Sequence, residues 1–226
     1  MDEFLRTLMP NVMARLPELY RSIDETLYMT GVAGIVSFMV GIVCAVILTV
    51  TKHGGIMQNL IVWTVLDKII NFFRSVPFII LIALLIPVTR FLAGTAIGVH
   101  GTIPPLIFGT APFFSRQMET ALAEIDKGSV EAAQSMGCSP VGIIFRVYLK
   151  ESVPGIIRGV TITLISLLGL TAMAGVVGGG GLGDLAIRYG YQRYQTDITI
   201  VVVIILVLMV TIIQTIGNFF AKRTSH

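Results

Sequence analysis

The chain has 226 residues, 54% of them hydrophobic and only 13% charged, with 16 Lys and Arg against 13 Asp and Glu. Soluble domains carry about 25% charged residues, and one of this size cannot hide so much apolar surface from water. With a mean hydropathy of +0.86, a soluble globular domain is excluded and a polytopic membrane protein remains, its apolar surface solvated by lipid. Cys44 and Cys138 make neither a disulfide framework nor a CxxC, and the scattered His53, His100 and His226 make no metal site. The net charge of +3 reads as basic residues flanking spans and setting topology, not as a nucleic-acid footprint.

In chain order, residues 1–25 have no continuous apolar run and contain Pro10 and Pro17, so they are not a signal peptide. Leu5, Leu8, Met9, Val12, Met13, Leu16, Leu19 and Ile23 recur at helical spacing, which predicts a kinked amphipathic segment lying in the membrane interface. Residues 26–221 are expected to form one transmembrane domain. Uncharged apolar runs predict spans over 29–50, 156–177 and 198–220. One long helix is expected over 60–88, with Asp67, Asn71 and Arg74 on a single face turned to protein or cytosol. A turn at 90–100 leads to a further span over 102–124, whose prolines point to burial among other helices. Within it Arg116 and Glu119 form an i, i+3 pair. The expectation is an all-α membrane protein of five transmembrane helices, with 222–226 as a tail.

Five spans put the termini on opposite sides. With the N-terminus outside, Lys52, Lys68, Arg74, Arg116, Lys127, Arg146, Lys150, Arg158, Lys222 and Arg223 are cytoplasmic. Arg6, Arg15, Arg21, Arg90, Arg188 and Arg193 then lie outside, a modest preference for this orientation.

The loop at 125–154 is too short and polar to span and too well capped for a linker. Lys127-Gly128 breaks the preceding helix, and a short helix is predicted over 129–136, with Glu131 in its first turn. Gly137 suits a left-handed C-terminal cap. Ser139 and Pro140 suit the N-cap and first position of a second helix, which runs to about Ser152. A small rigid helix projecting from a membrane bundle is a natural docking element.

Glu131-Ala132-Ala133, followed by Met136 and by Gly137 six residues after the glutamate, resembles the EAA motif of ABC importer permeases. The resemblance implies that these residues form a cytoplasmic coupling helix seated in a groove of a separate ATPase subunit. The family pattern ends in Leu-Pro, where this chain has Leu149-Lys150. The segments FRSVPFIILIALLIPVTRFLAGTAIG (73–98), APFFSRQMETALAEI (111–125) and AMAGVVGGGGLGDLAIRYGYQRY (172–194) closely resemble permeases of the methionine-uptake ABC importers. Asn71 and Arg74 also match that pattern. The resemblance implies a type I importer permease in the bacterial cytoplasmic (inner) membrane, with an external N-terminus and a cytoplasmic C-terminus. It implies a homodimer with two ATPase subunits, which bind the ATP and Mg, and an external substrate-binding lipoprotein; methionine, with related forms such as D-methionine, is the implied cargo.

Gly178, Gly180 and Gly183 fit GxGxxG, but after a membrane helix and outside a βαβ unit the dinucleotide reading fails. Gly178, Gly179, Gly180 and Gly181 read instead as an external connection, flexible or close-packed. It either contacts the binding protein at the mouth of the pathway or is merely permissive. No GxxxxGK[ST] exists, so no P-loop holds ATP in this chain; HExxH and GxSxG are absent too, and no nucleophile–base set supports an enzyme. Gly155 and Gly159 form a GxxxG at the start of the fourth span. Ser166, Gly169, Thr171, Met173 and Gly175 continue it with small or weakly polar residues, apart from Met173, which predicts a helix at a dimer interface lining the pathway. Met173 either helps close that pathway or fills the core. Two rival functions remain: an importer permease for another small amino acid or peptide, and a channel-like or scaffold membrane protein without energy coupling.

Overall fold

The computed structural model describes residues 9–224. Among them every regular element is helical: α1 Pro10–Ala14, α2 Leu16–Thr51, α3 Leu60–Ser75, α4 Phe78–Leu84, α5 Ile86–Ala93, α6 Gly98–Ala123, α7 Lys127–Ser135, α8 Pro140–Ile143, α9 Leu149–Glu151, α10 Val153–Val176, α11 Gly181–Leu185 and α12 Thr196–Thr224. Two π-helical stretches, Ile144–Tyr148 and Ala186–Tyr191, join α8 to α9 and follow α11. The expected Leu5 and Leu8 of the amphipathic stripe lie outside the described residues.

Three helices, α2, α10 and α12, are each long and apolar enough to cross a membrane. These are the helices that the charge-free runs of the sequence mark. In α12 only 6% of the most apolar stretch is buried by the chain itself. Hydroxyls inside these apolar helices bond to their own backbone: Thr51 to the Ile47 carbonyl, Thr161 to Ile157, Thr211 to Val207.

The single helix expected over 60–88 is instead three. Asn59 caps α3 by accepting from the Val62 N–H at 3.2 Å. The helix then ends because Val76 precedes Pro77 and takes extended backbone, φ −85° and ψ 124°. A second break falls at Leu85, before Pro87. None of α3, α4 and α5 is by itself long and apolar enough to span. Helix α6 passes that test only together with α5, across a bend of 119° at Gly94–Ile97. Gly94 makes the turn with φ +71°.

The chain forms two compact units, with boundaries inside α2, α6, α10 and α12 and at the break between α3 and α4. The first comprises the described residues up to Ile35, then Pro77–Phe108 and Leu164–Ile213. Its core joins Val12 and Leu19 to Leu182, Leu185, Tyr189, Ile198 and Val202. Met9, Leu16 and Ile23 pack on the same cluster, so protein covers Met9, Val12, Leu16, Leu19 and Ile23 of the expected apolar stripe. Asp197 carries the N-terminus of α1: its carboxylate accepts from Asn11 N at 3.0 Å, Asn11 Nδ2 at 3.1 Å and Val12 N at 3.4 Å. The second unit comprises Val36–Val76, Gly109–Thr163 and the chain from Gln214. Its core is Ala45, Phe114, Met118 and Leu122, against which Phe38, Ile125, Tyr148, Leu149 and Ile156 pack.

In the second unit α6 and α10 pack closely through the GxxxG pair. A Cβ on Gly155 would stand 2.8 Å from Ala121 Cβ, and one on Gly159 would collide with Met118. The Ser152 hydroxyl adds a bond to the Ala121 carbonyl at 3.3 Å. This glycine face is therefore occupied by the same chain and not by a second copy.

Candidate functional site

The loop between α6 and α10 builds a protruding helix. Its observed start is earlier than the expected 129: Asp126 has extended backbone and α7 runs from Lys127, so Glu131 sits mid-helix and no acid occupies the first turn. Its end follows the sequence closely. Gly137 adopts φ +76°, its N–H donates to the Gln134 carbonyl at 2.9 Å, and the Cys138 N–H donates to the Ala133 carbonyl at 3.1 Å. This is a Schellman motif, which satisfies two carbonyls that the helix end would leave unpaired. Ser139 caps the next turn by accepting from the Gly142 N–H at 3.2 Å, with Pro140 in the first position. The helical run then passes through Lys150 to Glu151, with a turn at Ser152 before α10. A proline at 150 would have removed an N–H from that run.

Of the five residues matching the coupling motif, Glu131, Ala132, Met136 and Gly137 are exposed. Ala133 is buried and fixes α7 to its own chain, together with Ile143. Beside them Met136, Val141 and Phe145 are 76%, 59% and 65% exposed.

Just upstream, Arg116 of α6 joins α6 to α3. Its guanidinium donates to Glu119 Oε2 at 2.6 Å, to Asn71 Oδ1 at 3.0 Å and to the Asp67 carboxylate, while Asn71 Nδ2 donates to Asp67 Oδ2 at 3.0 Å. The sequence made the Arg116–Glu119 pair legible; the link to Asp67 and Asn71 is tertiary. The ionised side chains are only about one-fifth exposed (20–22%), so the network is screened less than a surface pair.

The first unit holds an open cavity of about 1090 Å³. Glu18, Arg21, Asp24, Glu25, Asp184 and Arg188 bring charge to it, and Gly178 and Gly180 form part of its wall. The glycine run beside it is close-packed, the second of the two sequence readings. Gly178, Gly180 and Gly181 have φ of +80°, +81° and +75°, where a side chain would be strained. A Cβ on Gly179 would stand 2.6 Å from Thr102 Oγ1, one on Gly180 2.9 Å from Glu25 Oε2, and one on Gly181 2.7 Å from Thr26 Oγ1. Gly179 and Gly181 are buried, Gly180 is half-buried, and only Gly178 is exposed. The atoms that need these positions to be glycine thus belong to the same chain.

The five residues predicted to line a pathway divide between two environments. Gly169 and Met173 are exposed and Ser166 is half-buried; at i, i+3 and i+7 they share one face of α10. Nothing lies within 4 Å of a Cβ built on Gly169. Thr171 is buried, its hydroxyl bonded to the Leu168 carbonyl at 2.8 Å, and Gly175 is buried against the backbone of Gly183 and Asp184. Gly175 packs α10 on α11.

Apolar spanning helices joined to a short, exposed helix closed at its C-terminus by Gly137 define a multi-helix membrane protein. The chain belongs to the family of inner-membrane components of binding-protein-dependent transport systems, which matches residues 37–226. It is accordingly a multi-pass protein of the bacterial inner membrane. It is 49% identical over 202 residues to the probable D-methionine transport system permease protein MetI of Vibrio cholerae, covering 89% of this chain and 90% of that protein. It is 46% identical over 209 residues to the methionine import system permease protein MetP of Bacillus subtilis, covering 92% and 93%. Among solved structures, a chain of the inward-facing MetNI methionine ABC transporter superposes with a TM-score of 0.92 at 41% identity, covering 94% of this chain and 99% of that one. The type I importer permease fold that the family resemblance implies is therefore the fold of this chain.

Proposed function

We propose that this chain is the membrane-spanning subunit of an ATP-driven importer of methionine, including D-methionine. The observation that carries the reading is α7: an exposed helix ended by a Schellman motif at Gly137, in a chain 46–49% identical to methionine permeases over nearly its whole length. Two copies of the chain surround the pathway, since one copy supplies too few helices to enclose an amino acid. The Ser166, Gly169 and Met173 face of α10 is the face turned to that pathway. Five crossings place the N-terminus outside and the C-terminus in the cytoplasm, with α3 and its proline-broken continuation as the second.

An ATPase subunit seats α7 of each copy, taking Glu131, Ala132, Met136 and Gly137 into its groove, and it binds the ATP and Mg. An external lipoprotein delivers the amino acid to the charged cavity on the outer side, and Gly178, the exposed residue of the glycine run, is its closest candidate contact in that run. Closure of the two ATPase subunits displaces α7. The capped loop passes the motion to α6 and α10 through Ser152 and Gly155, and to α3 through Arg116. The cavity is thereby exposed alternately to each side.

Reconstitution of this chain with its ATPase and binding-protein partners, followed by ATP-dependent uptake of labelled methionine against other amino acids, tests the proposal. Uptake of methionine that other amino acids do not match supports it. Uptake of a different amino acid in preference, or none, removes it.

A further inference from the structure

The first helical N–H groups have no partner within their own helix, and ordinarily the residue just before the helix caps them. Helix α11 begins after Gly180, which has no side chain to offer. Its first two amides are met instead from α2, across 156 residues of sequence: Gly181 N–H donates to Glu25 Oε2 at 2.8 Å, and Leu182 N–H donates to Thr26 Oγ1 at 2.9 Å. Both acceptors are held in place. Glu25 Oε1 accepts from Arg21 Nε at 2.8 Å, and the Thr26 hydroxyl donates to the Ser22 carbonyl at 2.9 Å, which turns a lone pair toward Leu182. The other side of the run is tied as well. Gly98 N–H donates to the Gly178 carbonyl at 3.0 Å, and the Thr102 hydroxyl, which donates to the Gly98 carbonyl at 2.9 Å, lies 3.4 Å from the Gly179 carbonyl.

A cap supplied by a distant helix differs from a local one: the two elements cannot separate without orphaning the capped amides. Here those amides belong to Gly181, which is buried, and to Leu182, which is 0% exposed, so water does not replace the lost bonds. The positive φ angles and missing side chains of the glycine run are what let the backbone reach Glu25 and Thr26.

We infer that Glu25 is a positioning residue for transport: seated by Arg21, it locks the start of α11 to α2, so that the glycine run is a fixed part of the cavity wall and not a hinge. The inference rests on the importer reading for its role in transport, though not for the lock itself. The wall then moves as one piece with the outer part of α2 during the cycle.

Hydrogen exchange of the segment around 178–186, in the membrane-reconstituted complex with and without ATP, reads the lock directly. The wild type is expected to keep the Gly181 and Leu182 amides protected in both states. Glu25→Ala is expected to speed exchange at Gly181 roughly tenfold to hundredfold and to reduce the amino acid moved per ATP hydrolysed. Glu25→Gln keeps an acceptor for the Gly181 N–H and should restore both, a rescue that loss of folding would not show. Unchanged protection and coupling in Glu25→Ala would overturn the inference, as would wild-type amides that lose protection in either nucleotide state. If Glu25→Ala does not fold, Thr26→Val removes only the acceptor of the Leu182 N–H, and a Leu182 amide that stays protected then overturns it. If the wild-type complex moved no substrate, the importer reading would fail while the exchange pattern still decided the lock.

Discussion

Replacing Gly137 by alanine tests the docking helix without steric ambiguity. The residue has φ +76°, and nothing lies within 4 Å of a Cβ built there, so the change adds no clash. What it adds is the left-handed penalty of an L-residue, about 1–2 kcal/mol, or roughly a 5- to 30-fold shift away from the capped form. A helix as short as α7 is marginal unless its ends and one face are held, so little else absorbs the loss, and binding of the ATPase subunit should weaken by up to that factor. Asparagine tolerates the left-handed region and should cost less; the β-branched valine should cost more. The assay is titration of the purified permease with the ATPase subunit, alongside thermal unfolding to show that the spans are intact. Equal affinities for the alanine, asparagine and valine variants would refute the reasoning, because the penalty is conformational and must follow that order.

Other positions give independent checks. Arg116→Gln leaves Asp67 and Glu119 without their cation in a partly buried site; discounted for exposure, a loss of about 1–3 kcal/mol is expected in thermal unfolding, with Arg116→Lys restoring only part because an ammonium cannot reach Asp67, Asn71 and Glu119 together in a fixed fork. Asp197→Ala removes three acceptor contacts from the start of α1; a loss of about 0.5–2 kcal/mol should appear as faster proteolysis near residues 10–15, with the rest of the chain unchanged. Gly183→Ala drives a methyl into the Ala172 backbone and should cost about 1–3 kcal/mol, whereas Gly169→Ala meets open space and should leave stability within about 0.5 kcal/mol. Equal unfolding temperatures for that pair would remove the packing account of α10 on α11.

Features set by local chemistry were legible in the sequence. The charge-free runs marked α2, α10 and α12; Gly137 and the Ser139-Pro140 pair marked the two caps of the docking loop. What failed to show was set by partners distant in sequence or by a local rule overridden. The proline at 77 was expected to be absorbed in a membrane helix, yet Val76 before it turns extended and ends α3. The glycine run looked equally suited to a flexible loop because nothing in 178–181 names Glu25 or Thr26 as its partners. Gly175 resembles Gly169 in the sequence, and only the position of α11 separates the packed glycine from the exposed one. The sequence puts Asp67 on a face turned to protein or cytosol, and only the packing of α6 names Arg116 as its partner.

The central claim is that α7 couples ATP hydrolysis in a partner to amino-acid movement through this chain. ATP-driven uptake of labelled methionine by the reconstituted complex, measured for the wild type and for Glu131→Arg, tests it most directly. Glu131 is exposed and mid-helix, so the substitution should leave the fold intact while uptake is lost and the ATPase subunit no longer copurifies. Undiminished uptake with the ATPase still bound would contradict the account.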